Sequence, residues 1–250
     1  RDRVDYNAVG FALGCLVAIL FFRRVSFLII ATAPPLAAIV AALGAIGWLG
    51  LLFCGALLQF VPVLVARPLR AAWVAAPALL AIAVGLGCLV AGFLAMAGEL
   101  DVSLLVLPIG AALLAAGFGA VITAFALTLL SARPLGVPAL LVAAGLVALS
   151  MTVALGAALS TVLSGLDVPL HFSALLPSAI PFHAAFGLLG WMTLTAFGVS
   201  YRLFAMFMLA PEGGRTAGRP VLWFAVAALV ALAITLCATV GDLPPLASVP

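Results

Sequence analysis

Residues 183–207 read HAAFGLLGWMTLTAFGVSYRLFAMF, and residues 40–64 read VAALGAIGWLGLLFCGALLQFVPVL. Aligned without gaps, the two stretches share Ala, Ala, Gly, Gly, Trp, Leu and Gly, in that order, at matching positions. Position 40 thus corresponds to position 183, and the proline pairs Pro34/Pro177 and Pro68/Pro211 keep the same offset on either side. Because both stretches are almost wholly apolar, they predict a duplicated membrane helix.

The composition of the whole chain agrees with a membrane protein. Hydrophobic residues make up 68% of it and charged residues 7%, whereas about a quarter of an average soluble domain is charged. Long apolar runs without in–out alternation indicate helices rather than the strands of a barrel. We therefore predict an all-α, polytopic transmembrane helix bundle of about seven spans, at 6–22, 36–66, 71–98, 102–131, 136–163, 178–210 and 220–241. The first run is the shortest, and it ends at Arg23 and Arg24.

Charge placement gives an orientation. The chain has ten arginines and no lysine, and most of the arginines flank the side on which the N-terminus lies. The positive-inside rule therefore predicts a cytoplasmic N-terminus. We expect an integral protein of the bacterial cytoplasmic (inner) membrane. The net charge of +3 is spread over loops, so the lipid bilayer is an expected partner and nucleic acid is not.

The 143-residue offset between the copies also predicts an internal symmetry. An offset that contains an even number of spans returns the chain to the same side of the membrane, so the two copies are parallel repeats. We expect a first four-helix repeat over residues 1–135 and a second, incomplete repeat of about three helices over residues 136–250.

The residues shared by the two copies lie on one stripe of a helix at 100° per residue. In the second copy this stripe also holds His183, and its other members are Gly187, Gly190, Trp191, Leu194 and Gly198. Small residues on one stripe let another backbone, or a flat ligand, approach closely. Helix packing and a cofactor groove are therefore both open interpretations of the glycines.

Residues 183–207 resemble the tenth helix of the catalytic subunit of haem–copper oxidases. The features that carry the likeness are a His near the outer end, the pattern GxxGW, a Thr/Phe/Gly segment and an aromatic before the cytoplasmic end. The likeness is closest to the C-type oxidases and their degenerate relatives, which include nitric-oxide-response membrane proteins. That superfamily consists of three four-helix arcs, which agrees with a parallel repeat. The resemblance is specific over the two quoted stretches and covers the rest of the chain only in architecture.

The resemblance implies a candidate site. His183 would be an axial ligand of the iron of a b-type haem, and Gly187, Gly190 and Trp191 would line the cofactor. The chain would then be an accessory or structural subunit of a respiratory or photosynthetic electron-transport complex, with other membrane subunits as partners.

Departures from the family pattern exclude the family's catalysis. The family has a second His two residues after the first, and this chain has Ala185 there; Val40 occupies the place that matches His183. The following helix, 71–98, lacks the two adjacent copper-ligating histidines. Haem iron and copper need imidazole-type donors, so we expect no enzyme that reduces oxygen or nitric oxide.

Two alternatives stay open. A lone His in the outer turn of a span also serves to hydrogen-bond a neighbouring backbone or interfacial water. Parallel repeats also build transporters, whose sites lie at the repeat interface between broken helices. For that alternative, Pro62 and Pro108 are the candidate helix breaks.

Overall fold

A computed structural model describes residues 34–166, 176–209 and 218–241 of the chain. Within these ranges the protein is helical and has no strand. Its α-helices are α1 (Pro34–Ala42), α2 (Leu51–Val65), α3 (Ala75–Met96), α4 (Val106–Leu130), α5 (Val137–Leu163), α6 (Leu176–Ala185), α7 (Thr193–Phe207) and α8 (Arg219–Gly241). Two stretches are π-helical, π1 (Leu43–Gly50) and π2 (Phe186–Met192), and Ala72–Val74 forms a 3₁₀ turn.

Six spans in the described ranges are long and apolar enough to cross a membrane, which confirms the predicted all-α membrane bundle. Span 1 is α1–π1–α2, and span 5 is α6–π2–α7. Spans 2, 3, 4 and 6 are α3, α4, α5 and α8. They match six of the seven predicted runs, and the remaining run, 6–22, lies outside the described residues. The cytoplasmic N-terminus and the boundary between residues 135 and 136 stay predictions.

Spans 2 and 3 pack antiparallel to each other through close glycine contacts. A Cβ placed on Gly85 would lie 2.8 Å from the carbonyl oxygen of Gly110, so spans 2 and 3 approach backbone to backbone. Within a bilayer the hydrophobic effect does not drive helices together, so close backbone packing of this kind is a main source of their association. The buried core centres on spans 3 and 4, with Phe118, Phe125 and Val142 among its members.

The sequence repeat is present in the three-dimensional structure. The stretch π1 begins at Leu43 and π2 at Phe186, which is the same offset. π-Helical turns are rare, so their appearance at matched places is a strong sign of equivalence. The repeat extends to the next helix: a Cβ on Gly47 would lie 2.9 Å from Leu86, and one on Gly190 would lie 3.3 Å from Leu229. Spans 1 and 2 therefore correspond to spans 5 and 6.

Spans 1 and 5 lie side by side and run in the same direction. A cleft between them is lined by Leu49 from span 1 and Met192 from span 5. A separate, smaller pocket further along both spans is lined by Leu64 from span 1 and Leu203 from span 5. Since residue numbers rise together along both helices, the packing is parallel, as the sequence repeat predicts.

Candidate functional site

His183 lies in α6 near the start of span 5 and is half-buried against span 4. Its Nδ1 is 2.9 Å from the backbone carbonyl oxygen of Thr152. A carbonyl oxygen only accepts, so Nδ1 is the protonated nitrogen and donates this bond. In the neutral ring the lone pair is then on Nε2, which is the arrangement that metal-ligating histidines use. The ring also contacts the backbone of Gly156, where a Cβ would lie 3.0 Å from Cε1.

The glycines of the predicted groove pack against span 4. A Cβ placed on Gly187 would lie 3.3 Å from Cγ2 of Thr152. One placed on Gly190 would lie 2.5 Å from the Cβ of Ala148, closer than real Cβ atoms approach. The structure thus brings His183, Gly187 and Gly190 together at the interface of spans 4 and 5.

Trp191 is placed elsewhere, at the interface between the repeats. Its side chain is 3% exposed. The indole makes edge-on contacts with Phe53 of span 1 and Phe118 of span 3, at ring-centre distances of 6.0 and 5.7 Å. Its Nε1 has no hydrogen-bond partner among the described residues. The aromatic cluster of Phe53, Phe118 and Trp191 therefore joins the two repeats through ring packing.

A porphyrin does not fit along this glycine face. The space beside Gly187 and Gly190 is filled by Thr152 and Ala148, so a flat macrocycle there would require spans 4 and 5 to separate. A haem on His183 stays a prediction, and its iron would have to reach Nε2 from outside the interface of spans 4 and 5. In the described ranges, no group of three or more His, Cys, Asp or Glu side chains could hold a metal ion.

Sequence reasoning missed the partner face on span 4. The residues that fill the groove are spaced three or four apart on one face of α5, as Gly145, Ala148, Thr152 and Gly156. A run of small residues at helical spacing is the usual signature of close helix packing in membranes. This signal was available in the sequence, and it favours the packing interpretation of the glycines.

The cleft between spans 1 and 5 was also not predicted. It is an open groove with a volume of about 440 Å³, and it lies beside π1 and π2. Its lining is aromatic and aliphatic except for two hydroxyl residues, and it consists of Leu49, Phe53, Met192, Thr193, Ala196, Phe197, Ser200 and Phe204. The Thr193 hydroxyl donates to the Leu188 carbonyl oxygen at 2.8 Å, five residues back, so part of the polarity in the cleft is already satisfied.

No protein-family model, curated protein or solved structure matches this chain. Inferences about its function therefore rest on its own residues and geometry, and on the resemblance of residues 183–207 to the haem–copper oxidases.

Proposed function

We propose that the chain is a non-catalytic integral membrane subunit related to haem–copper oxidase subunit I. In this role it is an accessory or structural component of a respiratory or photosynthetic redox complex. The parallel repeat and the matched π-helical stretches support the relationship, because that superfamily is built from parallel four-helix arcs. The replacement of ligand positions by Ala185 and Val40 supports a role without its own catalytic centre.

The observation that carries the structural role is the way the glycine face of span 5 is filled. Gly190 packs closely against Ala148 of span 4 and Leu229 of span 6. The glycine stripe shared by the two copies therefore serves as a helix-packing surface. Outward-facing aromatics then supply contact surfaces for neighbours or lipid: Trp48 is 73% exposed and Phe224 is 78% exposed. Large exposed apolar surfaces of this kind are expected at membrane or subunit interfaces.

A native gel of the solubilised membrane, stained for haem and probed for the tagged chain, tests the accessory role. We expect the chain to co-migrate with haem-bearing subunits in a fixed ratio, and to separate from them when the complex is dissociated. A chain that migrates alone under mild detergent would contradict the proposal.

The absorbance spectrum of the purified chain tests the haem hypothesis separately. If Nε2 of His183 binds a b-type haem, a Soret band will be present in the native chain and in a Val40→Ala control, and will be lost in His183→Ala. If the chain is colourless after haem-replete expression, the haem hypothesis is wrong and the proposed structural role is unaffected.

A second candidate, a transporter, is favoured by one observation. The cleft of about 440 Å³ lies at the interface of the two repeats, beside two π-helical stretches, and transporter sites lie where repeats meet at irregular helices. The two candidate prolines do not break a helix in mid-span, because Pro62 is near the end of α2 and Pro108 is in the first turn of α4.

Water access to the cleft discriminates the two functions. A transporter predicts that a membrane-impermeant maleimide labels Ser200→Cys, because the passage fills with water in at least one state. An accessory subunit predicts no labelling there, as at the exposed membrane-embedded control Ser150→Cys. Labelling of the first variant alone would favour the transporter.

A further inference from the structure

The two equivalent spans differ in how one face is covered. On span 1, a stripe formed by Gly44, Leu52 and Gly55 is open: a Cβ on Gly44 or Gly55 would have nothing within 4 Å among the described residues. Leu52 is 58% exposed, whereas Thr195, its equivalent in the second copy, is fully buried. We call Gly44, Leu52 and Gly55 the open stripe of span 1.

Span 4 is what covers the equivalent face of span 5. A Cβ on Gly198, the equivalent of Gly55, would lie 2.6 Å from the carbonyl oxygen of Pro138. A Cβ on Gly145 would lie 2.6 Å from Cγ2 of Thr195. Span 4 precedes span 5 directly, and twelve residues, 164–175, connect α5 to α6.

The segment that precedes span 1 has the sequence features of a membrane helix that could pack on the open stripe. Residues 6–22 are apolar, and eleven residues, 23–33, separate them from the start of α1 at Pro34. They contain the pair Gly10 and Gly14 at GxxxG spacing, a motif that brings membrane helices into close contact. At the repeat offset, this pair falls within one residue of the positions equivalent to Thr152 and Gly156, the span 4 residues that contact span 5.

We propose that residues 6–22 cross the membrane antiparallel to span 1 and pack along its open stripe, as span 4 packs on span 5. Residues 6–22 would thereby fill the face that Gly44 and Gly55 leave open. The short connection favours an antiparallel neighbour. A parallel arrangement would require the connection to recross the bilayer, which takes about 20 residues of helix, and only eleven residues are present. This inference goes beyond the proposed function and does not depend on it.

Disulfide formation within the full chain tests the proposal. In a background with Cys15, Cys54, Cys88 and Cys237 changed to alanine, we combine Gly10→Cys with Gly44→Cys, a pair that lies within one residue of the equivalent of the contact between Thr152 and Gly187. A protease site introduced between residues 24 and 33 separates the segment from span 1 after oxidation. We expect the amino-terminal fragment to stay attached until reductant is added.

The matched control pairs Gly10→Cys with Gly87→Cys. Gly87 lies on span 2 next to Leu86, which contacts span 1 at Gly47, so it has a similar depth, and a Cβ there also meets nothing within 4 Å. We expect cross-linking at least tenfold slower for this pair. Equal rates for both pairs, or release of the fragment without reductant, would overturn the proposal. A dimer-sized product from Gly55→Cys alone would also overturn it, because a second copy would then cover the stripe.

Oxygen accessibility of a spin label gives a reading that needs no covalent bond. A nitroxide is placed on Leu52→Cys in one sample and on Val147→Cys in another; these positions are 58% and 63% exposed in the described structure. If the segment covers span 1, oxygen accessibility at position 52 is several-fold lower than at position 147. Equal accessibility would show that lipid, and not the segment, faces the open stripe.

Discussion

The two copies of the repeat have similar sequences and different surroundings. Trp191 is 3% exposed and lies between Phe53 and Phe118, whereas its equivalent, Trp48, is 73% exposed. Both follow a GxxG pattern inside a π-helical stretch. The local conformation is therefore set by the shared sequence, while burial depends on which helix lies next to each copy. Equivalent residues should accordingly respond to mutation by different amounts.

The largest difference is expected at the tryptophans. We predict that Trp191→Ala lowers the free energy of unfolding by about 3–5 kcal/mol, because it empties a buried aromatic cluster. We expect Trp48→Ala to cost less than about 1 kcal/mol, because removing a ring from an exposed site leaves no buried cavity. Denaturation of both variants in mixed micelles with increasing SDS measures the difference. Equal losses would show that the two copies have equivalent neighbours.

An intermediate difference is expected at the glycines that share a Gly–Leu contact. A methyl group on Gly190 would press on the Cβ of Ala148, which cannot rotate away, so Gly190→Ala should cost about 1–3 kcal/mol. On Gly47 it would meet only the end of the flexible Leu86 side chain. There the higher helix propensity of alanine, worth roughly 0.5–1 kcal/mol, should offset most of the strain. The same SDS titration compares the two, and a larger loss at Gly47 would contradict the packing.

The smallest difference is expected between His183 and Val40. His183→Ala removes the hydrogen bond to the Thr152 carbonyl oxygen, so a loss of about 1 kcal/mol is expected. Val40 is 48% exposed, and Val40→Ala should change stability by less than about 0.5 kcal/mol. Amide hydrogen exchange around Thr152 in span 4 and around His183 in span 5 measures the local effect. An unchanged exchange rate near Thr152 in His183→Ala would contradict a structural role for this bond.

Much of the architecture could be predicted from the sequence because hydrophobic length and repetition are direct physical signals. Runs such as 136–163 are long enough to span the bilayer, and the α5 helix covers almost the same residues. The parallel relation of the copies followed from the offset alone. These features depend on the chain's own composition and do not require knowledge of side-chain contacts.

The candidate site could be predicted only in part. The sequence indicated that His183 and two of the glycines share a face, and they do meet one interface. It placed Trp191 on that face too, because a uniform 100° per residue was assumed. The π-helical turns of π2 break this regular spacing, and Trp191 contacts Phe53 and Phe118 instead. Which helix fills a glycine groove is a tertiary property, so the partner residues on α5 could not be assigned from the sequence of the groove itself.

The most direct test of the central claim is disulfide formation between spans 1 and 5, which decides whether the two copies run in parallel. Two variant pairs, Leu49→Cys with Met192→Cys and Leu64→Cys with Leu203→Cys, place cysteines in the two separate pockets between these spans. The crossed pairs, 49 with 203 and 64 with 192, serve as controls, since the eleven to fifteen residues of helix between the two levels correspond to about 16–22 Å. The account predicts cross-linking in the first two pairs and none in the crossed pairs. Cross-linking of the crossed pairs would mean that the copies are antiparallel and would contradict the repeat.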